Sequence, residues 1–551
     1  MTDDLVNSIK QALRRSGYSV TDEPGIHVIA SLRDGSRVAL CLQAPDSFPY
    51  ELPEFQLEKD MLSTYGKLPH VAPWGNICAF DKETNYPNAS NPEGQVLEVL
   101  KKTLDILSDG VEGLNKEDYI DEFLAYWSYG CGVLFPIYSL VDNLGEQPKT
   151  LYACSAEPDD QKIYICSTKN EAKALLKRLG DTARDPCIFP CAYIPLSSSI
   201  DFPLPKTHKE WHEVVRKNSV HLSRYEHFLQ NSTRSKSVVV FSCPYSDGER
   251  VFAAFSHLGI PSMKGFRKGK TPLKAALTFI GAEQVDRCEY IEISNSRLFS
   301  RGGNGNMFNA KVCIVGCGSL GSHLADALAS CGVKDFTLID NQLLRAENIA
   351  RHSCGFSDIG KYKVDTVRNK LIEGNPNITC EAYHEDAHSI LIEALSKILP
   401  SDYVFVTTGS FPLEGHFIEK TKNELKRCKL VLMWVEPYAV AAHALVLNSP
   451  QDAQRKLFDE QGRFIYSVVN NGSELFKREV GCQSTYVQYS GIDVQSFVLD
   501  FVRALMFGGL DEYNYHFAWY GAISHAPQYG AIISPQFESK RDYSHEIERI
   551  D

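Results

Sequence analysis

The 551-residue sequence lacks any Cys-x-x-Cys pair, although it holds 16 cysteines. Four-thiolate zinc sites usually draw on such pairs, so that class of structural metal centre is excluded. The cysteines are scattered along a long chain, which also argues against a disulfide scaffold. They read as reduced thiols, most of them buried and one or two reactive. Nor is there a run of about 20 uninterrupted apolar residues, the length that crosses a membrane as a helix. The most apolar stretch, Leu430 to Leu447, is broken by Glu436-Pro437. The opening Met-Thr-Asp-Asp has neither a basic start nor an apolar signal core. The expectation is a cytoplasmic protein with no membrane partner. Positive charge is in deficit, with a net of -12. Neutralising nucleic-acid phosphates needs clustered Lys and Arg, so no nucleic-acid partner is expected. One bound nucleotide needs only a local electropositive pocket. No internal repeat or low-complexity tract stands out.

What is present is ordinary globular material, 43% hydrophobic and 23% charged. The length exceeds what one core supports and implies two to four domains. Residues 1–128 open with a helical pattern from Asp3 to Ser16. Strand-like runs follow at Ile26–Leu32 and Arg37–Gln43 around the Asp34-Gly35 turn. A proline-punctuated stretch, Phe48–Leu57, leads into an irregular segment with Cys78, and a helical pattern returns at Gly94–Ser108. This is one α+β unit.

Residues 129–300 carry candidate strands at Ile163–Ser167, Ile188–Ile194, Ser237–Ser242 and Tyr290–Ser294, and a helix at Glu171–Leu179, with no phosphate-loop pattern. The basic stretch from Gly265 to Lys274 reads as a solvated surface loop before it reads as an anion site. Residues 301–551 open with the glycine-rich Arg301-Gly302-Gly303.

There the pattern is sharpest. Lys311–Val315 is an apolar strand, Gly316-Cys-Gly318-Ser-Leu-Gly321 follows, and Ser322–Ser330 continues as an apolar helix. A second strand, Phe336–Ile339, ends at Asp340. Gly316 permits a tight turn, Gly318 lets phosphates approach the backbone, and Gly321 allows close helix–strand packing. The helix N-terminus offers N–H groups and a positive dipole to phosphates, and Asp340 is spaced to accept ribose hydroxyls.

Taken alone the loop would suit NAD. The continuation Asn348-Ile-Ala-Arg351-His352, then Ile359-Gly360-Lys-Tyr-Lys363, resembles the adenylating domain of ubiquitin-activating enzymes and their bacterial sulfur-carrier relatives. That resemblance implies Asp340 for ribose, and Asn348, Arg351 and Lys363 for the triphosphate of ATP. It also implies Mg2+. Gln342 stands where the family carries a second acid, and Thr407-Thr408-Gly409-Ser410 where it carries a metal-binding Asp. The metal ligand is therefore unassigned.

Near the start, Leu68-Pro69-His70 and Gly75-Asn-Ile77-Cys78 resemble a ubiquitin-conjugating domain, which implies Cys78 as the nucleophile. His70 aligns with the family's oxyanion-stabilising Asn. Cys482, in Arg478-Glu-Val-Gly481-Cys482, follows a polar segment with Asn470-Asn471-Gly472 and precedes a helical pattern at Asp493–Met506. Related activating enzymes place a thioester cysteine on such a late segment, so Cys482 is the second candidate. Cys313 and Cys317 belong to the phosphate strand and loop, while Cys331, Cys380 and Cys428 read as structural.

The whole resembles the bacterial fused activating–conjugating enzymes of CBASS and related anti-phage operons. The implied fold is an α+β conjugating-like domain followed by α/β Rossmann-like adenylation domains, the first degenerate, in a homodimer. The implied reaction adenylates a protein C-terminus (a CBASS nucleotidyltransferase or a ubiquitin-like protein), relays it through both cysteines and joins it to a target amine. An NAD-dependent oxidoreductase and a non-catalytic adaptor with degenerate domains are the competing readings. Two thioester sites on separate domains also imply a flexible tether around Gly130–Pro148.

Overall fold

The computed structural model describes all residues except 82–83, 129–134, 156–161, 179–186, 201, 232–235, 246–248, 259–271, 301–308, 399, 424–427, 449–456, 458, 460–463, 479–484, 509–512 and 551. The chain divides into two units, Met1–Glu292 and Ile293–Asp551.

In the first unit, Thr2 caps α1 (Asp3–Arg15), which buries Ile9 and Leu13. An antiparallel meander follows: β1 (Ser19–Val20), β2 (His27–Ser31), β3 (Arg37–Gln43), β4 (Glu54–Leu57) and β5 (Asn76–Ile77). The alternation in β3 turns Val38, Leu40 and Leu42 inward. Against that face packs α2 (Pro92–Glu112), started by an Asn91 cap and a first-turn proline and ended by Gly113 in the left-handed region. The expected helix, meander, irregular segment and helix are all present.

Two short helices, α3 (Asp118–Asp121) and α4 (Phe123–Ser128), come next. Phe123, Tyr126 and Trp127 are buried in one cluster with Phe241, Phe255 and Trp211 of the following region. The Trp127 indole N–H donates to the Cys288 carbonyl at 2.9 Å. The boundary drawn at residue 128 coincides with the end of α4, whose aromatic side chains pack into the core of the next region.

That next region holds β6 (Phe135–Ser139), β7 (Lys149–Ser155), β8 (Ile163–Cys166), α5 (Lys169–Arg178), β9 (Cys187–Pro195), α6 (His208–Asn218), β10 (Lys236–Pro244), β11 (Arg250–Leu258) and β12 (Asp286–Glu292). Its strands close into a barrel in the order β10-β11-β12-β6-β8-β7-β9. The stretch read as a tether contains β6, paired in parallel with β8 and β12. Most of the basic Gly265–Lys274 stretch lies outside the described residues.

The second unit is an eight-stranded sheet. Its parallel part comprises β13 (Lys311–Val315), β14 (Asp335–Ile339), β15 (Thr379–Tyr383), β16 (Tyr403–Val406) and β17 (Lys429–Val435), in the order β15-β14-β13-β16-β17. Helices α7 (Ser319–Ser330), α8 (Lys363–Gly374) and α9 (Phe411–Asn423) belong to the crossovers. This is the doubly wound, Rossmann-like arrangement, with its switch point between β13 and β16. Antiparallel β18 (Ala441–Leu447), β21 (Tyr515–Tyr520) and β22 (Ser544–Arg549) extend the sheet. A separate pair, β19 (Lys477–Arg478) with β20 (Thr485–Tyr486), precedes α10 (Gly491–Phe507).

Candidate active sites

Cys78 follows directly on β5. Ile77 is fully buried, and Gly75, at φ +95°, makes the turn that brings the chain back to β4. A Cβ at Gly75 would lie 3.1 Å from the Leu57 carbonyl oxygen. The strand ends in the open, and Cys78 is the exposed cysteine among those described. Its backbone N–H donates to the His70 carbonyl at 3.0 Å.

The His70 ring points elsewhere. Its Nε2 lies 2.9 Å from Asp118 and its Nδ1 2.7 Å from Glu122. The His70 backbone N–H donates to the Tyr126 hydroxyl, which itself bonds Glu122. The Glu122 hydrogen bond, opposed by burial and helped by Asp118, raises the His70 pKa. Burial pushes the Glu122 carboxyl up, but the His70 bond and charge outweigh it and hold it below its ordinary value. With both ring nitrogens occupied, the oxyanion role carried over for His70 is not available in this arrangement. The ring instead ties the cysteine loop to α3. Sequence reading missed this because the acids lie 48 and 52 positions away.

The second site lies at the carboxyl ends of β13 and β16. A cavity of about 740 Å³ is lined by Gly318, Asn348, Arg351, Lys363, Thr407, Glu414, Glu436 and Tyr489, among others. Gly321 has no room for a side chain, since a Cβ would fall 1.9 Å from the Gly316 carbonyl oxygen. At Gly318 a Cβ would meet nothing within 4 Å, so this backbone faces open space where α7 begins. The Thr407 hydroxyl donates to the Gly316 carbonyl at 2.6 Å and ties the end of β16 to the loop.

Asp340 holds the loop as well: Oδ2 accepts from the Cys317 amide and Oδ1 from the Gln342 amide, each at 2.8 Å. Lys363 is 7% exposed and donates to the Gln342 side-chain carbonyl at 2.7 Å. Arg351 lies over the Tyr489 ring at 5.3 Å. His352 donates from Nε2 to the Cys317 carbonyl and accepts the Cys354 amide at Nδ1. Burial lowers its pKa, so the neutral tautomer fits both bonds. Gly318 of the loop, Asn348, Arg351 and Lys363 thus line one cavity.

Two acids in the wall were not foreseen. Glu436, the break in the apolar run, accepts from the Val468 amide at 2.8 Å, the Val469 amide at 2.7 Å and His443 Nε2 at 2.8 Å. It fixes a segment whose Phe464, Ser467, Gly472 and Phe476 close one side of the cavity. Glu414, in the first turn of α9, is buried, and burial raises its pKa to about 7. Cys482 lies outside the described residues; the strands bracketing it in sequence, β19 and β20, pair antiparallel.

Residues 4–131 match Prokaryotic E2 family B, and residues 293–418 match the ThiF family. The chain is a ubiquitin-activating/conjugating-like enzyme. Across most of its length this E2–ThiF chain is similar to an ATP-dependent ubiquitin transferase-like protein Cap2 of Escherichia coli strain TW11681. Identity there is 23% over 488 residues, 82% of this chain and 78% of that protein. The Cap2 protein of Pseudomonas aeruginosa strain BWHPSA011 is 22% identical over 482 residues, covering 80% and 79%. The adenylyltransferase and sulfurtransferase uba4 of Emericella nidulans is 38% identical over 143 residues, 26% of this chain and 28% of that one. The E2-type match runs through α3 and α4, the elements that hold His70. Among the described residues of the E2–ThiF chain, no helix is long and apolar enough to cross a membrane.

Proposed function

We propose that the ThiF-type unit uses ATP to adenylate the C-terminus of a protein, and that the acyl group passes through Cys482 and Cys78 to a target amine. The observation that carries this is the grouping of Asn348, Arg351 and Lys363 around one cavity with the glycine loop. An NAD-dependent oxidoreductase would leave two cations facing a site that has no triphosphate to neutralise.

Each step balances. A carboxylate oxygen attacks the α-phosphorus and pyrophosphate leaves. Arg351 and Lys363 offset the charge that builds there, and the α7 N-terminus receives phosphate oxygens. The Cys482 thiolate then attacks the acyl carbon and AMP leaves. Exchange with the Cys78 thiolate returns Cys482 to the thiol, and an amine finally displaces Cys78. A magnesium ion bound with ATP would supply further charge neutralisation; the unpartnered Glu414 fits such an ion.

The protein modified is, in this reading, a CBASS nucleotidyltransferase or a ubiquitin-like protein, in the cytoplasm. The chain acts as a homodimer in this reading; the closed barrel that ends at β12 lacks the doubly wound topology of an adenylation domain and is given no adenylating part in it. The Cap2 relatives are named ATP-dependent ubiquitin transferase-like proteins, which supports the ATP-dependent transfer itself.

Pyrophosphate exchange into ATP, with the cognate carrier present, tests it. Arg351→Ala and Lys363→Ala should each lower exchange roughly 100-fold, the worth of one donor to developing charge. Near-normal exchange in both would remove the assignment.

A further inference from the structure

We propose that Glu414 is the carboxylate that holds the divalent cation of the adenylation site. The inference rests on the adenylation reading above and supplies the ligand the sequence left unassigned. After β16 the chain reads Thr407-Thr408-Gly409-Ser410, with no acid. It then enters α9 at Phe411, and the Glu414 amide bonds back to the Ser410 carbonyl at 2.9 Å. That one turn returns a carboxylate to the same cavity that Arg351 and Lys363 line.

The state of this carboxylate sets it apart. Glu414 is 8% exposed, and its Oε1 has no hydrogen-bond partner among the described residues. A carboxylate withdrawn from water without a donor takes up either a proton or a cation. The other two acids at the site are committed. Asp340 spends one oxygen on each of two loop amides. Glu436 spends both on Val468, Val469 and His443. Magnesium bound with a nucleotide needs only one or two carboxylates, the rest of its shell being phosphate oxygens and water. One acid with an uncommitted oxygen meets that need.

The test is uptake of Mn2+ by the full chain, followed by electron paramagnetic resonance in the presence of a non-cleavable α,β-methylene ATP analogue. Glu414→Gln should weaken Mn2+ uptake at least 10-fold and Glu414→Asp by less. The metal-free analogue should bind both variants at least as tightly as it binds the wild type, because a negative charge beside the triphosphate is gone or moved. Glu414→Gln should also unfold at no lower temperature than the wild type without metal, since the acid it replaces makes no bond there. Mn2+ uptake within twofold of wild type would overturn the proposal. So would an equal loss of metal-free analogue binding, or a lowered unfolding temperature, either of which marks a structural role. If the wild type binds no analogue with or without metal, the adenylation reading itself fails and takes this one with it.

Discussion

His70 shows how one side chain can sit in a catalytic motif and act on the architecture around it. Its ring bridges Asp118 and Glu122, so its proton is shared between the cysteine loop and α3. The folded-state pKa is raised above 6.5. The stability it contributes is therefore complete below that value and lost as pH rises through the raised pKa. Glu122 is shifted down, so its share is present above the ordinary carboxylate range and lost as pH falls through its lowered pKa. The clamp holds best between the two. Denaturant unfolding followed across pH 5 to 9 should show stability falling on the alkaline side in the wild type. In His70→Gln that alkaline slope should flatten. An unchanged slope would mean that the clamp contributes nothing to the folded state.

At the scale of elements, local patterns were legible and long-range ones were not. The strand over Lys311–Val315 and the glycine turn into α7 could be read because apolar residues and glycines fall in one short window. The barrel was harder. β6 pairs with β12 from the far end of the region, and the run Arg250–Leu258 shows no clean alternation to announce a half-buried strand. α6 did carry an overlooked signal, the capping box of Thr207 and Glu210. The cavity-lining set Asn348, Arg351 and Lys363 was legible because its members lie within 16 positions of each other. Glu414 and Glu436 arrive on other elements, and Glu436 could be read only as an interruption of an apolar run. Removing the Glu436 carboxylate strands two buried amides and a buried histidine, so Glu436→Ala should cost about 3 kcal/mol or more in unfolding free energy. Nucleotide affinity should fall with it, because the wall from Phe464 to Phe476 loses its anchor. A loss below about 1 kcal/mol with normal nucleotide binding would show that the wall is held by its apolar contacts alone.

For the whole molecule, the two candidate sulfurs belong to different units: Cys78 to residues 1–292 and Cys482 to residues 293–551. The freedom expected between residues 1–128 and the rest has to be sought elsewhere, because α4 is buried in the barrel core through Phe123, Tyr126 and Trp127. Acyl transfer between two thiols still requires the attacking sulfur to come within about 3–3.5 Å of the acyl carbon. If the relay operates, its encounter brings the sulfurs into reach of each other, within one chain or between two copies. Mild oxidation of the full chain should then form a Cys78–Cys482 disulfide, seen as a cross-linked peptide by mass spectrometry and lost in either Cys→Ala variant. The same variants separate the steps. Cys482→Ala should retain pyrophosphate exchange but form no thioester on the ThiF-type unit, whereas Cys78→Ala should keep that first thioester and lose the final conjugate. Dilution distinguishes the route, since a disulfide between copies weakens with concentration and one within a chain does not. Conjugation that survives Cys482→Ala would remove that residue from the relay and leave Cys78 to take the acyl group from the adenylate directly.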